Sequence, residues 1–393
     1  MSLNQLESLQ NYFQQNKIKI SNNYNQKFNV ENNFFETIKI YLKDNNCFYY
    51  KGSDARIILS LIFIHIEFKV GVVLCNEINL DLNKVQHYKD LYYGKSKNNS
   101  FSIFTSGTTG KPKQVEINTL ELISGIKKTK DRNINWLLTY NPKSYAGLQV
   151  ILTAFISNNK LYTIDGNNNI NKLFKIIKCE EINAISATPT FWKIFLSSDL
   201  KKDTSLKIIT LGGEIIEENL LLTLLKYFPK AKITQIYATT EFGRLFSVID
   251  NKPGFPIGYL KDYNLKIIDD TLHVKVNSLY LSTNDKVEIQ NNRVLFSGRN
   301  TDFVKIAGNK INLKFIEEKI SNFSCVVDVS ISTKSSPITD IVIKAEVVLK
   351  KNTDSSQLEF KKLLKENLET YEIPKLIKFV DTIKLNSNLK KIK

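Results

Sequence analysis

Hydrophobic and polar positions along the chain predict helices and short strands that follow one another in turn. An amphipathic helix is predicted to begin at Asp54-Ala55-Arg56, and the strand Val70 to Leu74 follows it. The same order continues with helices predicted at residues 120–128, 170–179 and 189–197, and strands at residues 134–140, 184–187, 207–211 and 233–236. Strands that alternate with helices indicate an α/β fold with layered sheets and helices.

The pattern changes in the last third of the chain. Short strands separated by tight polar turns are predicted at residues 265–268, 272–276, 287–290 and 294–296, which indicates a small β-subdomain. Helices at residues 314–321 and 356–368 and strands at residues 326–332, 341–349 and 376–379 then predict a small, separate α+β domain. We therefore predict an N-terminal domain of residues 1–298 and a C-terminal domain of residues 299–393.

Composition fits a folded chain of more than one domain. The 393 residues are 42% hydrophobic and 11% aromatic, which is enough for packed cores. The formal net charge of +16 comes mostly from lysine. An AT-rich genome explains a chain rich in Lys, Asn and Ile, and attraction to acidic partners is the functional alternative. No basic-aromatic ladder is present, so nucleic acid is not expected as a partner.

Cysteine usage and hydropathy indicate a cytoplasmic protein. The cysteines form no CxxC pair and no zinc spacing, which fits a reducing compartment. The N-terminus lacks the apolar core of a signal peptide. The most apolar stretch, residues 57–75, is interrupted by His65, Glu67 and Lys69, so no membrane span is expected. His65 itself is predicted to be a packed or capping residue.

One segment carries an anion-binding pattern. The apolar run from Phe101 leads into a loop of glycines and hydroxyl residues: Thr105, Ser106, Gly107, Thr108, Thr109, Gly110 and Lys111. Such a loop turns N–H and O–H groups toward one point, and Lys111 adds a positive charge, so polyphosphate is the expected ligand. Only two residues separate the glycines and Pro112 follows, unlike a Walker loop, so a hairpin-like turn is predicted. An ordinary polar surface loop is the alternative.

The loop and four later segments resemble the adenylate-forming (ANL) superfamily, which includes acyl-CoA synthetases, luciferases and the adenylation domains of peptide synthetases. TSGTTGKPK resembles the phosphate loop, residues 237–241 resemble Tyr-Gly-x-Thr-Glu, and residues 282–285 resemble Thr-Gly-Asp. Residues 298–308 resemble the hinge pattern Gly-Arg-x-x-Asp-x-x-Lys-x-x-Gly, and LNSNLKKIK resembles the tail Ser-Asn-Gly-Lys-x-x-Arg. The resemblance implies a large ATP- and acyl-binding N-terminal domain, shortened at its start, and a small hinged C-terminal domain.

The resemblance also implies residue roles. ATP or AMP would be bound by residues 105–111, by Gly212, Gly213 and Glu214 after the strand at 207–211, and by Tyr237, Ala238, Asp285 and Arg299. The implied catalytic residues are Lys390, Thr240, Glu241 and Lys305, with Glu241 also the Mg²⁺ ligand. The hinge position falls on Thr301, where Asp or Lys is usual. Leu389 and Lys393 depart from the tail pattern, and a solvated lysine-rich tail is the alternative there.

Residues 141–148 partly resemble the Pro-x-x-His-x-x-Gly-Leu segment of the acyl pocket. Tyr145 and Gly147 are the implied pocket residues, and Ser144 or Tyr145 stands where the family has His. A strand–turn–helix junction without a binding role is the alternative. No acidic residue lies between Asn141 and Phe155, which favours an acid without an amino group over an amino acid.

The function implied is ATP-dependent conversion of a small carboxylic acid into an acyl-adenylate, with transfer to a thiol. ATP and Mg²⁺ are the implied cofactors, and coenzyme A or the phosphopantetheine of an acyl carrier protein is the implied acceptor. The alternatives are an amino- or hydroxy-acid adenylation enzyme that loads a carrier protein, a luciferase-like enzyme, and a nucleotide-binding relative without activity. The sequence does not identify the acid, the acceptor thiol or the oligomeric state.

Overall fold

The computed structural model describes residues 20–22, 46–75, 85–88, 90–95, 99–105, 113–126, 128–129, 131, 133–163, 170–299, 302–306, 309–336, 340–351, 353–385 and 391. Contacts divide the chain into two compact units. The first unit comprises Met1–Asn251 with Ser387–Leu389, and the second comprises Lys252–Asn386 with Lys390–Lys393. The predicted domain boundary after residue 298 stays a prediction.

The first unit alternates strands and helices, as the sequence pattern predicts. Its strands are β1 (Ile20–Asn22), β2 (Asn46–Tyr50), β3 (Gly71–Leu74), β4 (Val85–Tyr88), β5 (Leu91–Lys95), β6 (Phe101–Thr105), β7 (Lys113–Ile117), β8 (Asn135–Leu138), β9 (Lys160–Thr163), β10 (Ala184–Ala187), β11 (Ile208–Gly212), β12 (Lys232–Thr239) and β13 (Gly243–Val248). Its helices are α1 (Ala55–Phe68), α2 (Thr119–Ser124), α3 (Tyr145–Ile156), α4 (Ile170–Cys179), α5 (Pro189–Ser197), α6 (Leu200–Asp203) and α7 (Glu218–Tyr227).

These strands form two sheets. One has the order β4-β5-β2-β3-β6-β7, in which β2, β3 and β6 run parallel. The other has the order β1-β9-β8-β10-β11-β12-β13 and is parallel except for the antiparallel β12–β13 pair. Helix α1 packs on β3 and α3, and α3 packs on β8 and β9. A shared apolar core therefore joins both sheets through these two helices.

Capping residues set the ends of α1. The Asp54 carboxylate accepts a hydrogen bond from Arg56 N at 2.9 Å, and Lys69 ends the helix in the left-handed conformation at φ 54°. His65 in the last turn contacts Val70 O through Nδ1 at 2.8 Å, and its ring packs edge-on against Phe101. Burial lowers the pKa of His65. The packed role predicted for this histidine is confirmed.

The predicted hairpin around the phosphate loop is also confirmed. Strands β6 and β7 pair antiparallel, and Thr105 lies opposite Lys113 at the end of the pair nearest residues 106–112. The loop that joins them, residues 106–112, lies outside the described residues. The polar segment is therefore followed by a strand that pairs with β6, whereas a Walker loop is followed by a helix.

The second unit holds the remaining elements. Its strands are β14 (Phe255–Pro256), β15 (Leu265–Ile268), β16 (Thr271–Val276), β17 (Leu279–Gln290), β18 (Arg293–Arg299), β19 (Phe303–Ile306), β20 (Asn309–Asn312), β21 (Val326–Ser336), β22 (Asp340–Leu349) and β23 (Leu376–Phe379). Its helices are α8 (Tyr259–Asp262), α9 (Leu313–Ser321) and α10 (Asp354–Asn367). The sheet orders are β14-β18-β17-β16-β15, β19-β20 and β21-β22-β23. A separate apolar core packs α9 and α10 against the last of these sheets.

Several element ends differ from the predicted ones, each for a local reason. Helix α2 ends at Ser124 and not at residue 128, because Gly125 caps it by donating its N–H to Glu121 O. Strand β12 continues through Tyr237 to Thr239, because its pairing with β13 extends to Gly243. Strand β17 begins at Leu279 and runs through residues 282–285, ahead of the strand predicted at residues 287–290. Asn284 adopts the left-handed conformation there at φ 62°, as expected for a position where the family has Gly.

Candidate functional site

The turn after β12 carries the predicted catalytic pair of the first unit. Thr240 and Glu241 lie between β12 and β13, and the Glu241 side chain is exposed. The β12–β13 register shifts between Tyr237 and Ala238, and the Tyr237 ring packs on Phe246 with centroids 5.1 Å apart. The Thr239 hydroxyl accepts a hydrogen bond from Phe242 N at 3.0 Å and holds the turn closed. Glu241 is therefore presented on a fixed turn at the carboxyl end of β12.

The predicted pocket segment forms the start of α3. Ser144 is the N-cap, and its Oγ accepts a hydrogen bond from Gly147 N at 3.1 Å. A Cβ atom on Gly147 would lie 2.1 Å from Asn141 O, so the turn before the helix closes against this glycine. Glycine is required at position 147 because the backbone of Asn141 lies too close to leave room for a side chain.

Tyr145 connects the start of α3 to the turn after β12. Its hydroxyl oxygen accepts a hydrogen bond from Arg244 N at 3.1 Å. Gly243 has φ +69°, and a Cβ atom on it would lie 3.0 Å from the same hydroxyl. The tertiary structure thus brings together Tyr145 and the chain that follows Thr240 and Glu241. Burial raises the pKa of Tyr145, which keeps its hydroxyl neutral.

The glycine pair after β11 also lies at a carboxyl strand end. Gly212 is the last residue of β11, and Gly213 has φ +82°. The Tyr140 hydroxyl donates to Gly212 O at 3.3 Å. The Glu214 carboxylate accepts a hydrogen bond from Thr190 N at 2.9 Å, in the first turn of α5, where a negative charge is favourable. Gly212 and Glu214 are therefore held by contacts with neighbouring elements.

In the second unit, two predicted nucleotide residues contact each other. Asp285 on β17 lies opposite Arg299 on β18, and Arg299 Nε lies 3.0 Å from Asp285 Oδ1. The Asp285 side chain is 9% exposed and that of Arg299 54% exposed. Arg299 N also donates to the Asp302 carboxylate at 2.8 Å. An acidic and a basic group thus lie side by side, which suits a ligand with hydroxyl and phosphate groups.

Other predicted residues are described in part or not at all. Thr105 ends β6, and the backbone of Lys305 lies in β19. Ser106 to Lys111, Thr301 and Lys390 lie outside the described residues. Their roles stay predictions. Within the described part of the chain, no group of three or more His, Cys, Asp or Glu side chains could hold a metal ion.

Sequence reasoning missed Lys143. Lys143 is only 8% exposed, and its Nζ donates hydrogen bonds to Lys51 O at 2.7 Å and to Cys75 O at 2.8 Å. These carbonyls follow the carboxyl ends of the parallel strands β2 and β3, so the amine fastens the start of α3 to that sheet edge. Burial lowers the pKa of Lys143. Its position one residue after Pro142 in the pocket segment was the available signal, but hydropathy predicts an exposed lysine there.

We predict that Lys143→Met lowers the free energy of unfolding of the first unit by about 1–3 kcal/mol, because both carbonyls lose their donor. The folded pKa lies below the ordinary 10.5, so the unfolded state binds more protons between the two values, and wild-type stability rises with pH there. The gap between wild type and variant should therefore widen as the pH rises toward 10.5.

Urea unfolding followed by tryptophan fluorescence measures this gap, because Trp136 and Trp192 both lie in the first unit and are the only tryptophans of the chain. Lys160→Met removes an exposed lysine from the same unit and serves as the control. A gap that stays constant or narrows as the pH rises would contradict the buried-amine interpretation.

The chain matches the family model of the AMP-binding enzyme over residues 76–277, and it belongs to this family. The predicted adenylate-forming superfamily and fold class are thereby confirmed, and so is the enzyme class, an AMP-forming acid–thiol ligase that uses ATP. Among the helices that the structure describes, none is long and apolar enough to cross a bilayer.

Similar proteins were found by sequence and by structure. A D-alanine–D-alanyl carrier protein ligase of Staphylococcus aureus is 25% identical over 340 residues, which covers 75% of this chain and 70% of that protein. The crystal structure of ATP-bound MatB from Rhodopseudomonas palustris superposes with a TM-score of 0.57 at 17% identity, covering 77% of this chain and 67% of that one. The anthranilate CoA ligase AuaEII, in complex with anthranoyl-AMP, gives a TM-score of 0.59 at 13% identity, covering 85% and 75%. The structural likeness supports the fold.

Proposed function

We propose that the protein activates a carboxylic acid without an amino group as its acyl-adenylate and transfers the acyl group to a thiol. The observation that carries the proposal is the 3.1 Å hydrogen bond from Arg244 N to the Tyr145 hydroxyl. It brings the start of the pocket helix α3 to the turn that presents Thr240 and Glu241. An enzyme that joins an acid to ATP needs its acid site and its phosphate site side by side.

The reaction proceeds in two displacements. The acid's carboxylate oxygen attacks the α-phosphorus of ATP, so that a carboxyl–phosphate bond forms and the bond to pyrophosphate breaks. A thiolate then attacks the acyl carbon, a thioester forms and AMP leaves. The loop at residues 105–111 would hold the β- and γ-phosphates, and Asp285 with Arg299 would hold the ribose. Lys390 would stabilise the charge that builds on the α-phosphate.

Mg²⁺ would be held by Glu241 together with the phosphates of ATP. This ion usually takes one or two protein carboxylates, phosphate oxygens and water, so a single exposed carboxylate on a fixed turn fits it. When bound, it would offset the negative charge of the phosphates. Because the phosphates of ATP supply further ligands, Mg²⁺ needs no cluster of three protein carboxylates in this role.

We predict that Glu241→Gln raises the Mg²⁺ concentration for half-maximal pyrophosphate exchange by about tenfold, since one anionic ligand is lost. Titration of exchange with Mg²⁺ at saturating ATP measures the effect. Glu218→Gln removes an exposed carboxylate of the same unit and should leave the titration unchanged. An unaltered midpoint in Glu241→Gln would remove this residue from the metal site.

The acid and the acceptor are the finer part of the proposal. The segment from residue 141 to residue 155 has no acidic side chain, and Lys143 places a buried amine at its start. Neither feature favours a substrate with an ammonium group. The second candidate is an amino acid loaded onto a carrier protein, which the similarity to the D-alanine–D-alanyl carrier protein ligase favours.

Carboxylate-dependent ATP–pyrophosphate exchange across fatty, hydroxy, aromatic and amino acids tests the proposal. Exchange with one class of acid without an amino group supports it, and exchange with amino acids alone selects the second candidate. Thioester formation is then measured with coenzyme A and with a phosphopantetheine carrier protein. Binding of ATP without exchange for any acid would overturn the proposed activity.

A further inference from the structure

Lys391, the residue after the predicted catalytic lysine, is bound to the second unit by several polar contacts. Its Nζ lies 2.6 Å from Asp328 Oδ1, donates to Val329 O at 2.6 Å and lies 3.8 Å from Glu317 Oε1. The Lys391 side chain is 13% exposed. A lysine in a solvated tail would make no such set of contacts, because ordering a long side chain costs conformational entropy.

The acceptors belong to the open edge of a sheet. Strand β21 is the edge strand of β21-β22-β23 and pairs only with β22 within this sheet. Val329 O accepts from Lys391, and the N–H of Ile331 donates to Glu317 Oε2 at 3.2 Å. The ammonium and the carboxylate therefore satisfy neighbouring backbone groups of one strand, which would otherwise be left unpaired at the edge.

The remaining contacts hold the acidic groups in place. The Glu317 side chain is 4% exposed, and Lys314 Nζ lies 3.0 Å from its Oε1. The β21–β22 register shifts between Val326 and Asp328, so that Val326 and Val329 are both buried while the Asp328 side chain stays 29% exposed. The bulge thus directs Asp328 toward Lys391. The tail anchor is the set formed by Lys391, Asp328, Val329 O and Glu317.

The backbone of Lys391 is held as well as its side chain. Lys391 also forms an isolated antiparallel bridge with Leu385. The backbones of Leu385 and Lys391 are therefore fixed to each other. The α-carbons of consecutive residues are about 3.8 Å apart, so an anchor on Lys391 restrains the residue before it.

We propose that the tail anchor is a positioning device for adenylation: the ammonium of Lys391 fixes the chain that carries Lys390. This inference rests on the proposed function, in which Lys390 acts on the α-phosphate. Lys391 does not touch the reacting atoms, so it is a positioning residue. A small displacement of a catalytic group slows the step that uses it and leaves other steps intact. The adenylation half-reaction should therefore depend on the anchor, and thiol transfer should not.

The test compares Lys391→Met with Lys384→Met, which removes an exposed lysine from the same C-terminal region. We expect Lys391→Met to lower kcat for pyrophosphate exchange by about tenfold or more, with KM for ATP and acid within about twofold. Thioester formation from acyl-adenylate supplied to the enzyme should be unchanged. Asp328→Asn should lower exchange in the same direction, and adding it to Lys391→Met should cause little further loss.

Equal rates of exchange in the Lys391 and Lys384 variants would overturn the proposal. So would a parallel loss of both half-reactions together with a lower unfolding midpoint, which would mean a structural role only. Hydrogen exchange of the 385–393 peptide gives a readout that does not need activity, and it should become faster in Lys391→Met alone. If wild type is silent in exchange but this peptide responds, the proposed function fails while the anchor stands.

Discussion

Lys390→Ala is expected to lower kcat for pyrophosphate exchange by about 10²- to 10³-fold while KM for ATP and acid stays close to the wild-type value. A positive charge that acts only on the charge developing at the α-phosphate contributes to the transition state and little to substrate binding. The measurement is exchange kinetics at saturating Mg²⁺ with the acid that the panel identifies.

The control for this variant is Lys384→Ala, which has the same change of charge at an exposed position. Thiol transfer from supplied acyl-adenylate should stay intact in Lys390→Ala, because that step does not use the α-phosphate charge. A loss of less than about threefold in exchange would show that the tail lysine is solvated, and the proposed role of Lys390 would be wrong.

Gly147→Ala is expected to lower the free energy of unfolding of the first unit by about 3 kcal/mol, the upper part of the usual range for overpacking. Its Cβ would meet Asn141 O at 2.1 Å and Asn141 C at 2.9 Å, and both atoms belong to the backbone of the turn that Ser144 caps. Removing this steric overlap therefore requires the turn to move, and the turn also carries Pro142 and Lys143. The urea midpoint from tryptophan fluorescence measures the loss.

Gly125→Ala is the matched change within the same unit. Gly125 has φ −71°, and a Cβ atom there would lie 3.3 Å from the nearest atom, Glu121 O, so a small adjustment suffices. Its midpoint should stay close to wild type. If Gly147→Ala unfolds at the same urea concentration as Gly125→Ala, the close approach at the start of α3 is not a constraint on this fold.

The sequence predicted those features that depend on local order. The glycine spacing around residues 106–112 differs from that of a Walker loop, so a hairpin was predicted there in place of a strand-to-helix turn. Strands β6 and β7 pair as expected. Helices at residues 170–179 and 189–197 and the strand at residues 184–187 have the predicted bounds. Asn284 has the positive φ that its place in the Thr-Gly-Asp motif implies. Such features follow from residue type and neighbours along the chain.

The lengths of paired strands were less predictable, because how far a strand extends depends on where its partner strand ends. Strands β12 and β17 continue through motif residues that lie outside the strands predicted at residues 233–236 and 287–290. Register shifts between Tyr237 and Ala238 and between Lys286 and Val287 allow the pairing to continue past these positions. The motif side chains are therefore held by sheet register as well as by loop conformation.

The sequence by itself determined the class of enzyme and predicted the residue types of a nucleotide site, because short motifs keep their chemistry wherever they are placed. Only the tertiary structure decided which distant residues meet: Tyr145 with Arg244, Lys143 with Lys51 O and Cys75 O, and Lys391 with Asp328. Both lysines look like ordinary surface residues in the sequence. Their roles arise because the ends and edges of sheets leave carbonyl groups without partners, and which side chain reaches those groups depends on how the whole chain is packed.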